Sequence, residues 1–254
     1  MEYVPHASAR LRERVALITG AARRVGAVIA ETLHGEGMNL VLHYRHSEAE
    51  AQALCARLNE RRSGSAIALA CDLHDMEALP RLVEAATRQW NRLDVLVNNA
   101  STFYPTPVGT ITEDHWNDLL GSNLKAPLFL SQAAAEPLRV HGGCIVNITD
   151  IHAHRPLKSH PVYSIAKAGL VMLTRSLARE LGPEIRVNGV APGAILWPEM
   201  EVDEIMKQRI IARTALKRQG SPVDVARAVL FLAGDADYIS GEIITVDGGR
   251  LLGD

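Results

Sequence analysis

The chain has 254 residues, 47% of them hydrophobic, with 27 Lys and Arg against 29 Asp and Glu. So neutral a balance leaves no basic footprint for nucleic acid or an anionic membrane, no apolar run reaches the roughly 18–20 residues that a membrane span needs, and the first ten residues lack the apolar stretch of a secretory signal. The three cysteines, Cys55, Cys71 and Cys144, are odd in number and fit neither zinc nor disulfide spacing, so a reducing, cytoplasmic setting is expected.

The first expected element is a strand at 15–19, an apolar, β-branched run of the kind buried on both faces of a parallel sheet. It runs into Thr19-Gly20-Ala21-Ala22-Arg23-Arg24-Val25-Gly26, and a helical pattern follows. Small residues let the backbone turn sharply and approach a pyrophosphate. The helix start offers free N–H groups, and Gly26, without a Cβ, lets helix and strand close on one another. A strand before and a helix after make this a dinucleotide phosphate site rather than an ordinary turn. The second strand, 39–44, ends in His43-Tyr44-Arg45-His46-Ser47. A carboxylate at this place would bind the ribose 2′-hydroxyl of NAD. The chain has none there; it offers the planar fork of Arg45 and the hydroxyl of Ser47, both suited to a 2′-phosphate. NADPH is the expected cofactor. Ser47 also stands where it can cap the helix expected over 47–62, whose Ala51, Leu54, Cys55 and Leu58 form one apolar stripe.

Further strands are expected at 66–70, 94–98, 144–149, 186–190 and 242–246. Between the last three, Tyr163 and Lys167 lie on one helix face, one turn apart. A free phenol has a pKa of about 10. A neighbouring ammonium favours the phenolate and lowers that value, so the pair is able to exchange a proton with a substrate oxygen or nitrogen while hydride moves. Taken alone, the spacing also fits a helix surface pair. The last helix starts at Ser221, with Pro222 at N1 and Asp224 at N3. Strand and helix alternate throughout, with short connections. This predicts an α/β, single-domain, doubly wound Rossmann fold with a mainly parallel seven-stranded sheet, ordered 3-2-1 in its first half with strand 4 on the other side of strand 1. Residues 1–11 read as a polar tail ahead of an NADP-binding reductase domain at 12–254.

Together these features resemble the short-chain dehydrogenase/reductase family over almost the whole chain. The match includes the 19–26 loop, Asp72-Leu73, Asn98-Asn99-Ala100, Asn123, Tyr163 with Lys167, Arg186-Val187-Asn188, Pro192-Gly193 and Val246-Asp247-Gly248-Gly249. The resemblance implies Tyr163 as general acid, Lys167 holding the nicotinamide ribose and lowering the tyrosine pKa, and Asn123 supporting a water-linked proton relay. It places Asp72 by the adenine, Asn99 near its ribose and Pro192-Gly193 near the nicotinamide. Gly20, Arg24, Gly26, His43, Tyr44, Arg45, His46, Ser47, Leu73, Ala100 and Ser101 complete the cofactor site it implies.

Two departures narrow the resemblance. Arg24 stands where the phosphate loop usually has its middle glycine, and Asp150 replaces the catalytic serine 13 residues before the tyrosine. Both resemble pteridine reductases, as do His43-Tyr44, Ser47 and Asn98-Asn99-Ala100-Ser101-Thr102-Phe103-Tyr104-Pro105-Thr106-Pro107. That resemblance implies that Ser101 and Phe103 bind cofactor and pterin, the ring stacking over a pterin sandwiched against nicotinamide, and that Arg24 touches phosphate and substrate. Asp150 would protonate a ring nitrogen, directly or through Tyr163, with a carboxyl pKa raised by burial; the alternative is that it only orients Tyr163 as an anion. A flat heterocycle wants an aromatic face, and Phe103 is one of three phenylalanines. The alternatives are that Phe103 packs against a neighbouring subunit and that Arg24 is merely solvated at a helix start. Trypanosomatid enzymes have a second tyrosine where this chain has His160, and Ala194-Ile195-Leu196-Trp197-Pro198-Glu199 looks more like bacterial relatives.

The expected reaction is reduction of a dihydropterin to a tetrahydropterin by NADPH, with fully oxidised pterins as further candidates, in a homotetramer. Two competitors are weighed. A carbonyl reductase of the β-ketoacyl-carrier-protein type calls for serine at position 150 and has no need of Phe103. A non-catalytic NADP(H)-binding regulator has no need of both Tyr163 and Lys167. His152, His154 and His160 lie near Asp150 and have metal-ligand chemistry, but the reaction requires no metal and none is expected.

Overall fold

Successive side chains of a strand point to opposite faces. In β1 (Val15–Ile18) all four are buried, so the strand needs cover on both sides. The computed structural model, which describes residues 10–195 and 203–253, shows how that cover is built. β1 and six further strands, β2 (Asn39–Tyr44), β3 (Ala66–Ala70), β4 (Val95–Asn98), β5 (Cys144–Ile148), β6 (Arg186–Pro192) and β7 (Ile243–Val246), form one sheet. Its order is β3-β2-β1-β4-β5-β6-β7, and every pairing is parallel. The sheet expected to be mainly parallel is parallel throughout.

The register stacks like residues in rows. Ile18 aligns with Leu42 and Val97, Leu17 with Val41 and Leu96. The first row faces Ile29, Ala30 and Leu33 of α1 (Arg24–Gly35), Leu54 and Leu58 of α2 (Glu48–Arg61), and Val225, Val229 and Leu232 of α8 (Pro222–Gly234). The second faces Leu79, Leu82 and Val83 of α3 (Ala78–Arg88) and Leu130, Ala134 and Leu138 of α5 (Ala126–Val140). The remaining helices are α4 (Glu113–Leu120), α6 (Pro161–Leu181) and α7 (Glu204–Ala212). A π turn, Gly121–Lys125, joins α4 to α5. At the start of α8 the Ser221 N–H donates to the Asp224 carboxylate at 2.8 Å, as the cap pattern predicted.

The sheet is locked at its N-terminal edge by Asp94. Its buried carboxylate accepts the Val15 N–H at 2.8 Å and both the Nε and Nη2 of Arg92 at 2.8 and 2.7 Å. The opposite edge, where the chain order reverses between β1 and β4, is the place where open α/β sheets form a ligand crevice. One boundary moves: the tail expected over 1–11 gives up its last two residues, since Arg10 and Leu11 are helical, Arg10 pairs with Asp237 at 2.5 Å and Leu11 is fully buried in the core. The expectations for residues 1–9 and 196–199 lie outside the described residues. No described helix is long and apolar enough to cross a membrane.

Candidate active site

The crevice is built from β1 upward. Gly20 leaves the strand with φ +61° and its N–H donates to His43 Nδ1 at 3.1 Å. That donor forces Nδ1 to be bare, so Nε2 carries the proton and donates to the Cys71 carbonyl at 3.0 Å. Burial, foremost, lowers the His43 pKa. His43, expected to touch the cofactor, is thus spent on tying the loop to β2 and β3, and Tyr44 beside it is buried. Asn99 clasps the same loop: its amide donates to the carbonyls of Thr19 at 2.8 Å and Gly20 at 3.1 Å. The N–H groups of Asn99 and Ala100 converge on Thr19 Oγ1 at 2.9 and 3.0 Å. A Cβ on Gly26 would lie 2.2 Å from the Gly20 carbonyl oxygen and 2.7 Å from Asn99 Nδ2. The first turn of α1 has no acidic residue and Arg23 makes no side-chain cap bond, a helix start of the kind that suits an anion. These features fit the pyrophosphate of a dinucleotide.

At the end of β2, Arg45 and His46 are exposed, and Arg45 Nη1 lies 3.8 Å from Asp72 Oδ1. Ser47 makes no cap bond to α2. The capping alternative therefore fails, and the hydroxyl is available beside Arg45. Leu73, just beyond β3, is buried and packs with the core cluster of α3 and α5. Arg24 adopts φ +55°, the left-handed conformation at the place where the resemblance expects glycine.

The chemistry lies across the switch point, beyond β4 and β5. Tyr163 Oη donates to Asp150 Oδ2 at 2.7 Å, while Asp150 Oδ1 accepts the His152 N–H at 2.8 Å. Lys167 is buried and donates to the Ile148 carbonyl at 2.9 Å, its Nζ 5.7 Å from the Tyr163 ring centre. Burial pulls the Lys167 pKa down to about 8, against the opposing charge of Asp150. The net direction of the tyrosine pKa is upward rather than the lowering expected beside a lysine. Burial first, then the Asp150 charge and hydrogen bond, push Tyr163 well above the ordinary phenol value, with Ser101 opposing. Tyr163 is held as a protonated phenol, a donor.

Ser101 Oγ donates to Asn123 Oδ1 at 2.6 Å, and the Asn123 amide donates to the carbonyls of Thr102 and Leu119 at 3.0 and 2.9 Å. Asn123, expected in a water-linked relay, has its side chain wholly buried and committed to bracing the loop after β4. Phe103 projects from that loop, 45% exposed. Its ring stacks on His160 at 4.8 Å and meets Tyr163 edge-on at 4.9 Å. Pro192 ends β6, and Gly193 packs so closely on the C-terminal segment that a Cβ would come within 2.6 Å of Asp247 Cβ. His152 and His160 bond through Nδ1 to the carbonyls of Arg155 and Lys158, each at 2.9 Å. Among the described residues no group of three His, Cys, Asp or Glu side chains is arranged around a metal position.

A family profile described as enoyl-(acyl-carrier-protein) reductase matches residues 20–250, from the first glycine of the phosphate loop to the C-terminal turn. The chain belongs to the short-chain dehydrogenase/reductase family. It is 39% identical to pteridine reductase 1 of Leishmania tarentolae, over 94% of this chain and 96% of that one. It is 36% identical to an uncharacterized oxidoreductase of Methylorubrum extorquens, over 94% and 98%. It is 33% identical to the 3-oxoacyl-[acyl-carrier-protein] reductase of Staphylococcus aureus, over 93% and 98%. The protein is an oxidoreductase of this family, whose members use NAD(P)(H).

Within the short-chain reductase site, four residues have parts that the sequence did not assign to them. Thr19 gathers two loop N–H groups on one hydroxyl. Tyr104 donates to Asp118 Oδ2 at 2.9 Å, and His160 backs Phe103. Tyr104 and His160 stand in stretches already singled out, where alternation along an extended loop would have pointed Tyr104 away from Phe103. Nothing in the spacing marks Asp118.

Proposed function

We propose that the protein reduces pterins with NADPH, taking dihydropterins to tetrahydropterins and accepting oxidised pterins as well. The observation that carries this reading is the 2.7 Å hydrogen bond from Tyr163 to Asp150 at the position where relatives of the carbonyl-reducing kind have serine. A serine hydroxyl serves a carbonyl oxygen. A ring nitrogen must instead acquire a proton as the adjacent carbon takes up hydride, and a carboxyl group joined to a phenol forms a route for that proton. The bound dinucleotide supplies the hydride. Tyr163 gives its own proton to the ring nitrogen and is reprotonated from Asp150, which takes its proton from solvent, so that one hydride and one proton reduce one C=N bond. Lys167 holds the nicotinamide ribose, Phe103 offers its open surface to the flat heterocycle, and Arg24 and Ser101 meet phosphate and substrate. Arg45 and the uncapped Ser47 hydroxyl take the 2′-phosphate, and the assembly is a homotetramer.

The test is NADPH oxidation with dihydrobiopterin, dihydrofolate and acetoacetyl-CoA in parallel. Turnover of a dihydropterin well above that of the thioester is expected; the reverse order would make the protein a ketoacyl-type reductase. NADPH should bind far more tightly than NADH, and Arg45→Asp should abolish or reverse that preference. Equal affinity of the native protein for both would remove the role given to Arg45 and Ser47.

A further inference from the structure

The loop that carries Phe103 is tied to a single helical segment on both sides of the ring. Ahead of it, Ser101 and Thr102 bond to Asn123 and Ser122 in the π turn, with Thr102 Oγ1 and Ser122 Oγ 2.6 Å apart. Behind it stands Tyr104, whose hydroxyl donates to Asp118 in the last turn of α4 at 2.9 Å. Its ring packs with Leu119, Val162 and Tyr163. Phe103 and Tyr104 are neighbours in an extended loop and point to opposite sides. One faces the site and the other faces the core beneath it. The other oxygen of Asp118 lies 3.4 Å from His74 Nε2, a buried atom that forms no directed hydrogen bond. Gly121 leaves room for that imidazole, since a Cβ there would stand 2.6 Å from its Cε1 and Nδ1.

We propose that Tyr104 and Asp118 are positioning residues for the reaction: their hydrogen bond holds the loop so that Phe103 stands edge-on to Tyr163 and sets the width of the substrate slot. A phenol bonded to a carboxylate is stronger than a neutral pair and fixes direction as well as distance. Burial, then the Asp118 bond, push the Tyr104 pKa up to about 12, so its hydroxyl remains a donor at every working pH. Without this tie no hydrogen bond fixes the loop from Thr102 until the Thr106 N–H, which donates to the Ser159 carbonyl at 2.6 Å, and only ring packing holds Phe103 between His160 and Tyr163. The consequence for turnover rests on the pterin reading; the consequence for Phe103 does not.

The experiment therefore has a ligand-free arm. With only three phenylalanines, Phe103, Phe129 and Phe231, the protein labelled with 4-fluorophenylalanine gives three fluorine resonances, and Phe103→Leu assigns one of them. Asp118→Ala should shift or broaden the Phe103 line and leave the other two in place. Asp118→Asn, whose amide oxygen still accepts from Tyr104, should restore the native line. In the kinetic arm, Asp118→Ala and Tyr104→Phe should each raise KM for dihydrobiopterin about tenfold, the size of one charge-assisted hydrogen bond. The kcat and NADPH affinity should stay within threefold, and the double variant should be no worse than either single. An unmoved Phe103 line in Asp118→Ala, or lowered melting temperature with native KM, would overturn the proposal. A native protein inactive on pterins would sink the pterin reading, while the fluorine spectra would still decide the brace.

Discussion

The two halves of the crevice are built by different means. The nucleotide half, around Gly20, Gly26 and Asn99, is backbone held by backbone and amide: Asn99 and Thr19 staple the loop, His43 anchors it, and a single added methyl at Gly26 would strike a carbonyl. The chemical half, around Asp150, Tyr163 and Lys167, is made of ionisable side chains taken out of water. Its chemistry depends on the charges that these side chains carry. Shape carries the first half and electrostatics the second, so substitutions should affect them in opposite currencies: stability and nucleotide affinity on one side, turnover on the other.

The largest effect belongs to the chemical half. Tyr163→Phe keeps the ring and removes the proton donor. Turnover should fall by roughly 10²–10⁴, the usual worth of a positioned acid, with NADPH affinity within twofold of native. Steady-state kinetics beside a fluorescence titration of NADPH check this, and a variant that keeps a third of native kcat would remove Tyr163 from the proton path. Next comes Gly26→Ala. The Cβ would lie 2.2 Å from the Gly20 oxygen, and neither group is a flexible side chain that can swing away. A loss of about 1–3 kcal/mol of stability is expected, visible in a thermal scan. NADPH affinity should fall more than tenfold, while kcat at saturating cofactor changes less than in Tyr163→Phe.

The contrast also explains what could be read from the residues alone. The strands were legible because a parallel strand covered on both faces has to be apolar at consecutive positions, as in Val15, Ala16, Leu17 and Ile18. β6 runs on to Pro192 because Ala191 and Pro192 find partners in Thr245 and Val246, a pairing between segments far apart in the chain. The glycine loop was legible because its requirement is local. The sign of the tyrosine shift was not. The spacing of Tyr163 and Lys167 shows an ammonium one turn away, but the pKa is decided by burial and by Asp150, which arrives from the end of β5. His43 has a part that spacing does not show for a related reason. A histidine at the end of a strand reads as a ligand until both ring nitrogens are seen to be occupied by Gly20 and Cys71.

Lys167 tests the electrostatic half through stability. Its pKa drops from 10.5 in the unfolded chain to about 8 in the fold, because burial disfavours the charged form. Below pH 8 both states hold the proton and the fold carries the full penalty. Between pH 8 and 10.5 the folded state releases it first, and stability rises with pH; above 10.5 the penalty has gone. The shift corresponds to about 3 kcal/mol, against which Lys167→Met loses the bond to Ile148, worth about 1 kcal/mol. The variant should therefore be more stable than the native protein at pH 7 in urea titrations, and inactive. The advantage should shrink between pH 8 and 10.5. Buried thiols such as Cys144, whose pKa burial raises, act in the other direction, but equally in both proteins, so the difference isolates the lysine. A gap that stays constant from pH 7 to 10.5 would show that Lys167 does not titrate in that window.

The smallest effect is the one that joins the halves. Arg24 sits in the shape-governed loop but brings a charge to it, and it does so at φ +55°. A left-handed conformation costs an L-residue about 1–2 kcal/mol, strain of a kind that persists at functional sites because the surroundings impose it. Arg24→Gly should release that strain, offset in part by the greater freedom of glycine in the unfolded chain, so a gain of about 0.5 kcal/mol is expected. Arg24→Ala retains the strained backbone and loses the same guanidinium. If the side chain serves the phosphates, both variants should bind NADPH several-fold more weakly, and the salt dependence of binding should flatten in both alike. Only the glycine variant should gain in melting temperature. Equal NADPH affinity in all three proteins would place the Arg24 charge outside the phosphate site. A glycine variant no more stable than the alanine variant would show that the loop bears no strain at Arg24.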